Sequence, residues 1–199
     1  ELAAAWVRLL PPEEIARRTT QAQKRTLKEL YRLIWRGTLP ALALNEAADR
    51  DLFYSSYVQT YLQRDVRDLA RVGDELAFLR FLRAAAARTG QILNLAELAR
   101  DADVAPNTAK NWLSILEASM QIYLLPPYHT NFTRRLVKRP KLYFVDSGLA
   151  CHLLGLESEA KLRRSPFWGP VFEGHVASEI MKQQQGAGCR REVYFFRDQ

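Results

Sequence analysis

The chain has 199 residues, with 29 Lys and Arg against 22 Asp and Glu and a formal net charge of +7. At 48% apolar and 26% charged it has the make-up of a globular protein of one large or two small domains, and the positive balance suits an acidic partner, nucleic acid first. Two cysteines, Cys151 and Cys189, exclude a disulfide framework and fit a reducing cytoplasm, and no apolar run of about 18 residues is there to span a bilayer.

The opening ELAAAWVRLLPP lacks the basic flank and cleavage pattern of a signal peptide. The chain starts at Glu1 and stops directly after a strand-like YFFRDQ, the expected look of a piece of a longer protein. PPEEIARRTTQAQKRTLKELYRLIWRG reads as one or two helices, with Leu27, Leu30, Tyr31 and Ile34 on a shared face and Gly37 at the end. GTLPALALN reads as a connector. From Asp51 to Val72, Tyr54, Tyr57, Val58, Tyr61, Leu62, Val66 and Leu69 recur at three and four, which predicts one long amphipathic helix. Because the tyrosines lie on the apolar stripe itself, they read as core, not as a stacking platform. DELAFLRFLRAAAARTG is a further helix, stopped at Gly90.

NLAELARDADVAPNTAKNWLSILEAS has the pattern of a helix-turn-helix. Asn94 and Glu97 have capping-box spacing, DADVAP is the turn with Val104 plugging the angle, and Pro106 suits the first position of the second helix. That helix buries Ala109, Trp112, Leu113 and Leu116. Its other side presents Asn107, Thr108, Lys110, Asn111 and Ser114, short amides and hydroxyls suited to base edges and a lysine suited to phosphate. MQIYLLPPY and KLYFVD then read as strands, joined by the segment that carries Arg134, Arg135, Lys138 and Arg139. Helix, helix, strand, long loop, strand is the order of a winged helix, with the basic cluster on the wing where it would grip DNA backbone. The same module also serves elsewhere as a protein-binding unit or spacer, and a basic loop is often only solvated.

In the last third, VDSGLACHLLGL reads as a strand end and a short helix capped by Asp146. SPFWGPVFEGHVASEIMKQQQ is a helix with Phe172, Val176 and Ile180 on one stripe and Glu173 and Glu179 flanking it. Those two carboxylates are candidate metal groups if neighbouring strands supply others, and otherwise partners for Lys or Arg. GAGCRR lacks the spacing and ending of a phosphate loop, and His129, His152 and His175 have no ligand spacing.

The blocks YLQRDVRDLARV, RTGQILNLAELARDADVAPNTAKNWLSILEAS, LPPYHTNFTRRLVKRPKLYFVDSGLACHLLGL and GPVFEGHVASEIMKQ, in this order, resemble the C-terminal domain of unknown function (series four-one-four-three) of bacterial and archaeal AAA-type ATP-binding proteins. The resemblance implies a restriction-endonuclease-like last part, in which Glu173 is the first candidate for the helix glutamate of the active site and Glu179 the second. The acidic strand and later lysine of that pattern are missing from this sequence, so the reading is of no complete catalytic site. It also implies a parent that uses ATP and magnesium, with no cofactor in this part.

The expected fold is therefore α+β and mainly helical: residues 1–45 the end of an ATPase module and a helical linker, 46–146 a helical plus winged-helix domain, and 147–199 a truncated nuclease-like segment. The expected function is a DNA-binding accessory region of an AAA-type ATP-binding protein. The alternatives are a protein-interaction or regulatory module, docking on the chain's own ATPase module or on another protein, and the inactive remnant of a metal-dependent nuclease. Nucleic acid or such a protein is the expected partner, and no membrane.

Overall fold

A computed structural model describes residues 25–44, 49–62, 64, 75–128, 139–188 and 193–196. Helix α1 (Leu27–Arg36) begins at a complete capping box, in which Thr26 Oγ1 accepts from the Glu29 amide and Glu29 Oε2 accepts from the Thr26 amide at 2.6 Å. Ile34 is its buried residue, whereas Leu27, expected on the same face, is 72% exposed. Pro40 starts a single turn, α2 (Pro40–Ala43), inside the segment expected to be a plain connector.

Helix α3 (Arg50–Tyr61) is capped by Asp49, which accepts from the amides of Asp51 and Leu52. Tyr54, Val58 and Tyr61 are buried on it and Tyr57 packs against them, so the tyrosine row is core. Leu62, the next residue of the predicted stripe, is buried as well, and the predicted continuation over 65–72 lies outside the described residues. Helix α4 (Glu75–Ala87) buries Phe78, Phe81 and Leu82, and both phenylalanine rings meet Trp112 edge-on at 5.0 and 5.5 Å.

Helices α5 (Leu95–Ala102) and α6 (Pro106–Ala118) follow at the predicted places, with Val104 packed against the core between them. The cap of α5 is only half of the expected box. Asn94 accepts from the Glu97 amide at 3.5 Å, but the Glu97 carboxylate sits 3.9 Å from Arg88, which pairs more closely with Asp101 at 2.6 Å.

Strand β1 (Ile122–Leu125) pairs antiparallel with β2 (Lys141–Phe144), Ile122 opposite Phe144 and Leu125 opposite Lys141. On its other side β2 is bonded to residues 90–93, through Gly90 N to Leu142 O at 2.7 Å and Leu142 N to Gln91 O at 3.0 Å. Phe195 lies parallel to the extension of β1, with its amide donating to Pro126 O and its carbonyl accepting from Tyr128 N. Ile122, Leu142 and Phe144 face the main helical core, while Tyr123, Leu125 and Tyr143 face Ala177 and Met181. Both faces of the sheet are covered, which is why its strands read as nearly unbroken apolar runs.

Helices α7 (Ser147–Leu153), α8 (Glu159–Arg164) and α9 (Trp168–Gly186) complete the described chain. Leu149, Ala150 and Leu153 belong to the same core cluster as α3 to α6, and Cys151 joins Ile34, Leu162 and Val171 in a smaller one. The buried face of α9 is not the predicted stripe. Val171, Gly174, Ala177, Ser178 and Met181 turn inward, while Phe172 and Val176 are exposed. The small residues allow close approach to the sheet: a Cβ at Gly174 would lie 3.0 Å from the Tyr143 ring.

Candidate nucleic-acid interface

Helix α6 is two-sided. Ala109, Trp112, Leu113 and Leu116 are buried at 7% exposure or less, which fixes the helix by its apolar stripe. The opposite side presents Asn107, Lys110, Asn111 and Ser114 to solvent, and Thr108 is half-buried at its edge. Ser114 Oγ donates back to the Lys110 carbonyl at 3.1 Å, so its hydroxyl is partly engaged along the helix. The three amide and ammonium side chains stand free of the described neighbours, with one net positive charge between them.

Arg139, just before β2, is exposed. Arg134, Arg135 and Lys138 lie outside the described residues. Lys141, the next basic residue along, is turned away from any such role: its Nζ donates to Glu173 Oε1 at 2.9 Å and sits 5.4 Å from the Phe195 ring. Tyr143 donates to the same oxygen at 2.6 Å. Burial, and then that carboxylate, push the Tyr143 hydroxyl well above its ordinary range, so it remains a donor at any physiological pH.

Glu173 is therefore held as a clasp between α9 and β2, with a lysine and a tyrosine as its neighbours and not a second carboxylate. Glu179 accepts from Lys182 at 2.8 Å, one turn along its own helix. Each glutamate is thus paired with a lysine. Among the described residues no group of three or more His, Cys, Asp or Glu is arranged to hold a metal ion.

A junction centred on Asp146 holds these parts together. Its Oδ1 accepts from the Leu149 amide and from Tyr54 Oη, each at 2.7 Å, and its Oδ2 accepts from the Thr38 amide at 2.7 Å and the Thr38 hydroxyl at 3.2 Å. Lys182 Nζ donates to the same hydroxyl at 2.9 Å, tying α9 into the chain of bonds. The predicted cap is present, then, but it is one of four bonds, and the others come from residues about a hundred positions earlier. Arg50, 6% exposed, closes the junction from beside it, donating to the carbonyls of Trp35 and Gly148 at 2.9 Å and lying 4.2 Å from the Trp35 ring. The signal that could have announced this crowding is the pair Gly37 and Gly148. Gly37 has φ 88°, and a Cβ on Gly148 would lie 2.6 Å from the Arg36 carbonyl oxygen. Ser147 Oγ lies 3.4 Å from His175 Nδ1 nearby, and burial pulls the His175 pKa below its ordinary value.

Comparison with known proteins adds the following. A family model described as "Domain of unknown function (DUF8612)" matches residues 27–160. An uncharacterized protein of Mycobacterium tuberculosis and one of Mycobacterium bovis are each 34% identical to the chain over 153 residues, 75% of this chain and 34% of theirs. The chain thus spans about a third of the length of these curated relatives. No solved structure matches it significantly.

Proposed function

We propose a function from the premise that the chain belongs to the family described as a domain of unknown function (DUF8612), whose model spans α1 through the start of α8. The chain is a winged-helix nucleic-acid-binding region of a longer protein. Helix α6 is its recognition element, and the basic segment between the strands is its wing. The observation that carries this reading is the solvent-facing polar side of α6, mounted on a buried apolar stripe and leading directly into an antiparallel strand pair. The pairing of residues 90–93 with β2 supports it as well, because it supplies the short strand that precedes the two helices in such modules. Asn107 and Asn111 would meet base edges, Thr108 and Ser114 sugar or base, and Lys110 with Arg134, Arg135, Lys138 and Arg139 phosphate. By the family resemblance read from the sequence, the longer protein is an AAA-type ATP-binding protein and this chain an accessory region of it.

The test is duplex binding by fluorescence anisotropy between 50 and 200 mM salt, on the chain and on a variant with Arg134, Arg135, Lys138 and Arg139 all changed to Gln. Each phosphate contact contributes about −0.9 to the slope of log K against log salt, so losing four should flatten it by roughly 3 to 4. An unchanged slope would remove the wing from the interface, and no duplex binding by the parent chain would end the reading.

A further inference from the structure

The apolar periodicity of α1 and α9 marks for burial two sets of side chains that the described fold leaves at the surface. Leu27 belongs to the predicted buried face of α1, and Phe172 and Val176 to the predicted stripe of α9, yet they are 72%, 37% and 41% exposed. The two sets meet. Tyr31 and Trp168, both half-buried, have ring centroids 4.2 Å apart, and Trp168 lies 5.4 Å from Phe172. Leu27 and Tyr31 are four residues apart on α1, and Trp168, Phe172 and Val176 are spaced by four on α9, so the five side chains form one apolar ridge about 20 Å long. Contiguous apolar surface of this kind, patterned for burial, is built to be covered.

The helices that carry the ridge are basic. Lys28 and Arg32 on α1, with Arg163 and Arg164 at the end of α8, which packs against α1, are exposed and have no ion-pair partner among the described residues. The nearby acids are already engaged: Glu29 closes the capping box with Thr26, and Glu157 pairs with Lys161. A second copy of the chain would bring these four cations against their own kind and is a poor occupant. The chain itself holds a better one. Residues 1–24 lie outside the described residues, and within them Leu2, Trp6, Leu9 and Leu10 recur at helical spacing, while residues 1–14 carry Glu1, Glu13 and Glu14 against Arg8 alone. Sixteen residues separate Leu10 from Leu27. A tether of that length reaches roughly 22 Å even as a flexible chain, which matches the ridge, and it holds its end at roughly millimolar local concentration.

We propose that residues 1–10 of the chain dock on the ridge from Leu27 to Val176, with Trp6 and its neighbouring leucines covering Trp168 and Phe172. The ridge is then an intramolecular docking surface, and the first residues of the chain close the face that α1 and α9 leave open. The proposal is independent of nucleic-acid binding by α6.

The test is cross-linking of the 199-residue chain with a short bismaleimide, in a Cys189→Ser background where Cys151 is fully buried. One variant pairs Ala5→Cys with Val176→Cys on the ridge; the control pairs Ala5→Cys with Ser114→Cys on the exposed side of α6. The ridge pair should join within one chain roughly tenfold faster than the control pair, as read by mass spectrometry. Trp6→Asp, or Leu2→Asp as a second variant, keeps the tether and removes the apolar contact, so either should bring the ridge pair down to the control rate. Circular dichroism checks that each variant keeps its helices. Equal rates for the two pairs, a ridge rate indifferent to both Asp variants, or cross-links that join two chains would overturn the proposal.

Discussion

Replacing Asp146 with Asn is the sharpest test of the junction, because the two side chains have the same shape and differ in which atoms can accept. All four bonds to Asp146 come from donors, two at each oxygen, and its side chain is buried at 5% exposure. An Asn amide NH2 must replace one oxygen. In one orientation it confronts the Thr38 amide, in the other the Leu149 amide, and neither backbone N–H can turn away. The Tyr54 and Thr38 hydroxyls can rotate; the amides cannot. One bond to a charged acceptor is therefore lost and a buried donor is left facing a donor, which together cost about 3 kcal/mol. For a chain of this length that lowers Tm by about 6–12 °C. Tyr54→Phe removes one such bond and should cost about 2 kcal/mol. Urea denaturation of both single variants and the double variant gives the coupling, expected to exceed about 1 kcal/mol for groups in direct contact. A cost below about 1 kcal/mol for Asp146→Asn, or strict additivity with Tyr54→Phe, would refute the placement of the carboxylate among donors.

Gly148→Ala should cost about 3 kcal/mol, since the new methyl meets the Arg36 carbonyl at 2.6 Å and the Tyr54 hydroxyl as well, while Gly169→Ala, with nothing within 4 Å, should be neutral or stabilising in the same denaturation series. Stability should fall as pH drops below about 6.5, the ordinary histidine value: burial depresses His152 and His175 in the folded chain, so there the unfolded chain binds protons that the native one refuses. Midpoints at pH 7.5 and 5.5 measure this, and the difference should shrink in the His152→Gln, His175→Gln double variant. Cys151 is fully buried and its thiol is pushed up to about 12, so in a Cys189→Ser background it should resist aromatic disulfide reagents at pH 8 until the chain unfolds. Labelling as fast as a free thiol would contradict its placement against Ile34 and Leu162.

Element positions were legible where a local rule marks the boundary. Asn94, Pro106 and Asp146 each begin a helix by side-chain or ring chemistry that acts within four residues, and Gly37 ends one with a φ of 88° that favours glycine, whereas the capping box at Thr26 was not read from the sequence. The face of α9 was not legible, because size and hydrophobicity point the wrong way there. Its close approach to β2 selects Gly174, Ala177 and Ser178 for the inside, and Phe172 instead rests against Trp168, rings 5.4 Å apart. Nor could the sequence bring Thr38, Tyr54 and Asp146 together, since contacts across 92 and 108 positions leave no local periodicity. The polar residues of α6 were legible as a set because a helix with a known buried stripe has only one other side. The pairing of Glu173 with Lys141 and Tyr143 depends on the packing of α9 on the sheet, and spacing alone left it open.

The tyrosine row of α3 carries more than its burial. Its rings are core, but its hydroxyls reach the two corners from which the proposed interface is built. Tyr54 bonds to Asp146, where β2 turns into α7. Tyr57 bonds to Gln121 at 3.0 Å and Tyr61 to Ser119 at 2.8 Å, both in the three-residue corner between α6 and β1. That corner holds Met120 at φ 58° and closes with Gln121 N donating to Leu116 O at 2.9 Å, so α6 and β1 meet at a fixed angle. Buried hydroxyls need partners, and here the partners are the side chains of the corner residues Asp146, Gln121 and Ser119. The alternation of ring and hydroxyl along one helix thus meets two requirements at once: apolar surface for the core, and hydrogen bonds that tie α3 to the side chains of both corners. Phenylalanine in all three places would preserve the first and lose the second, which is why a row that looks like simple core in sequence is made of tyrosine.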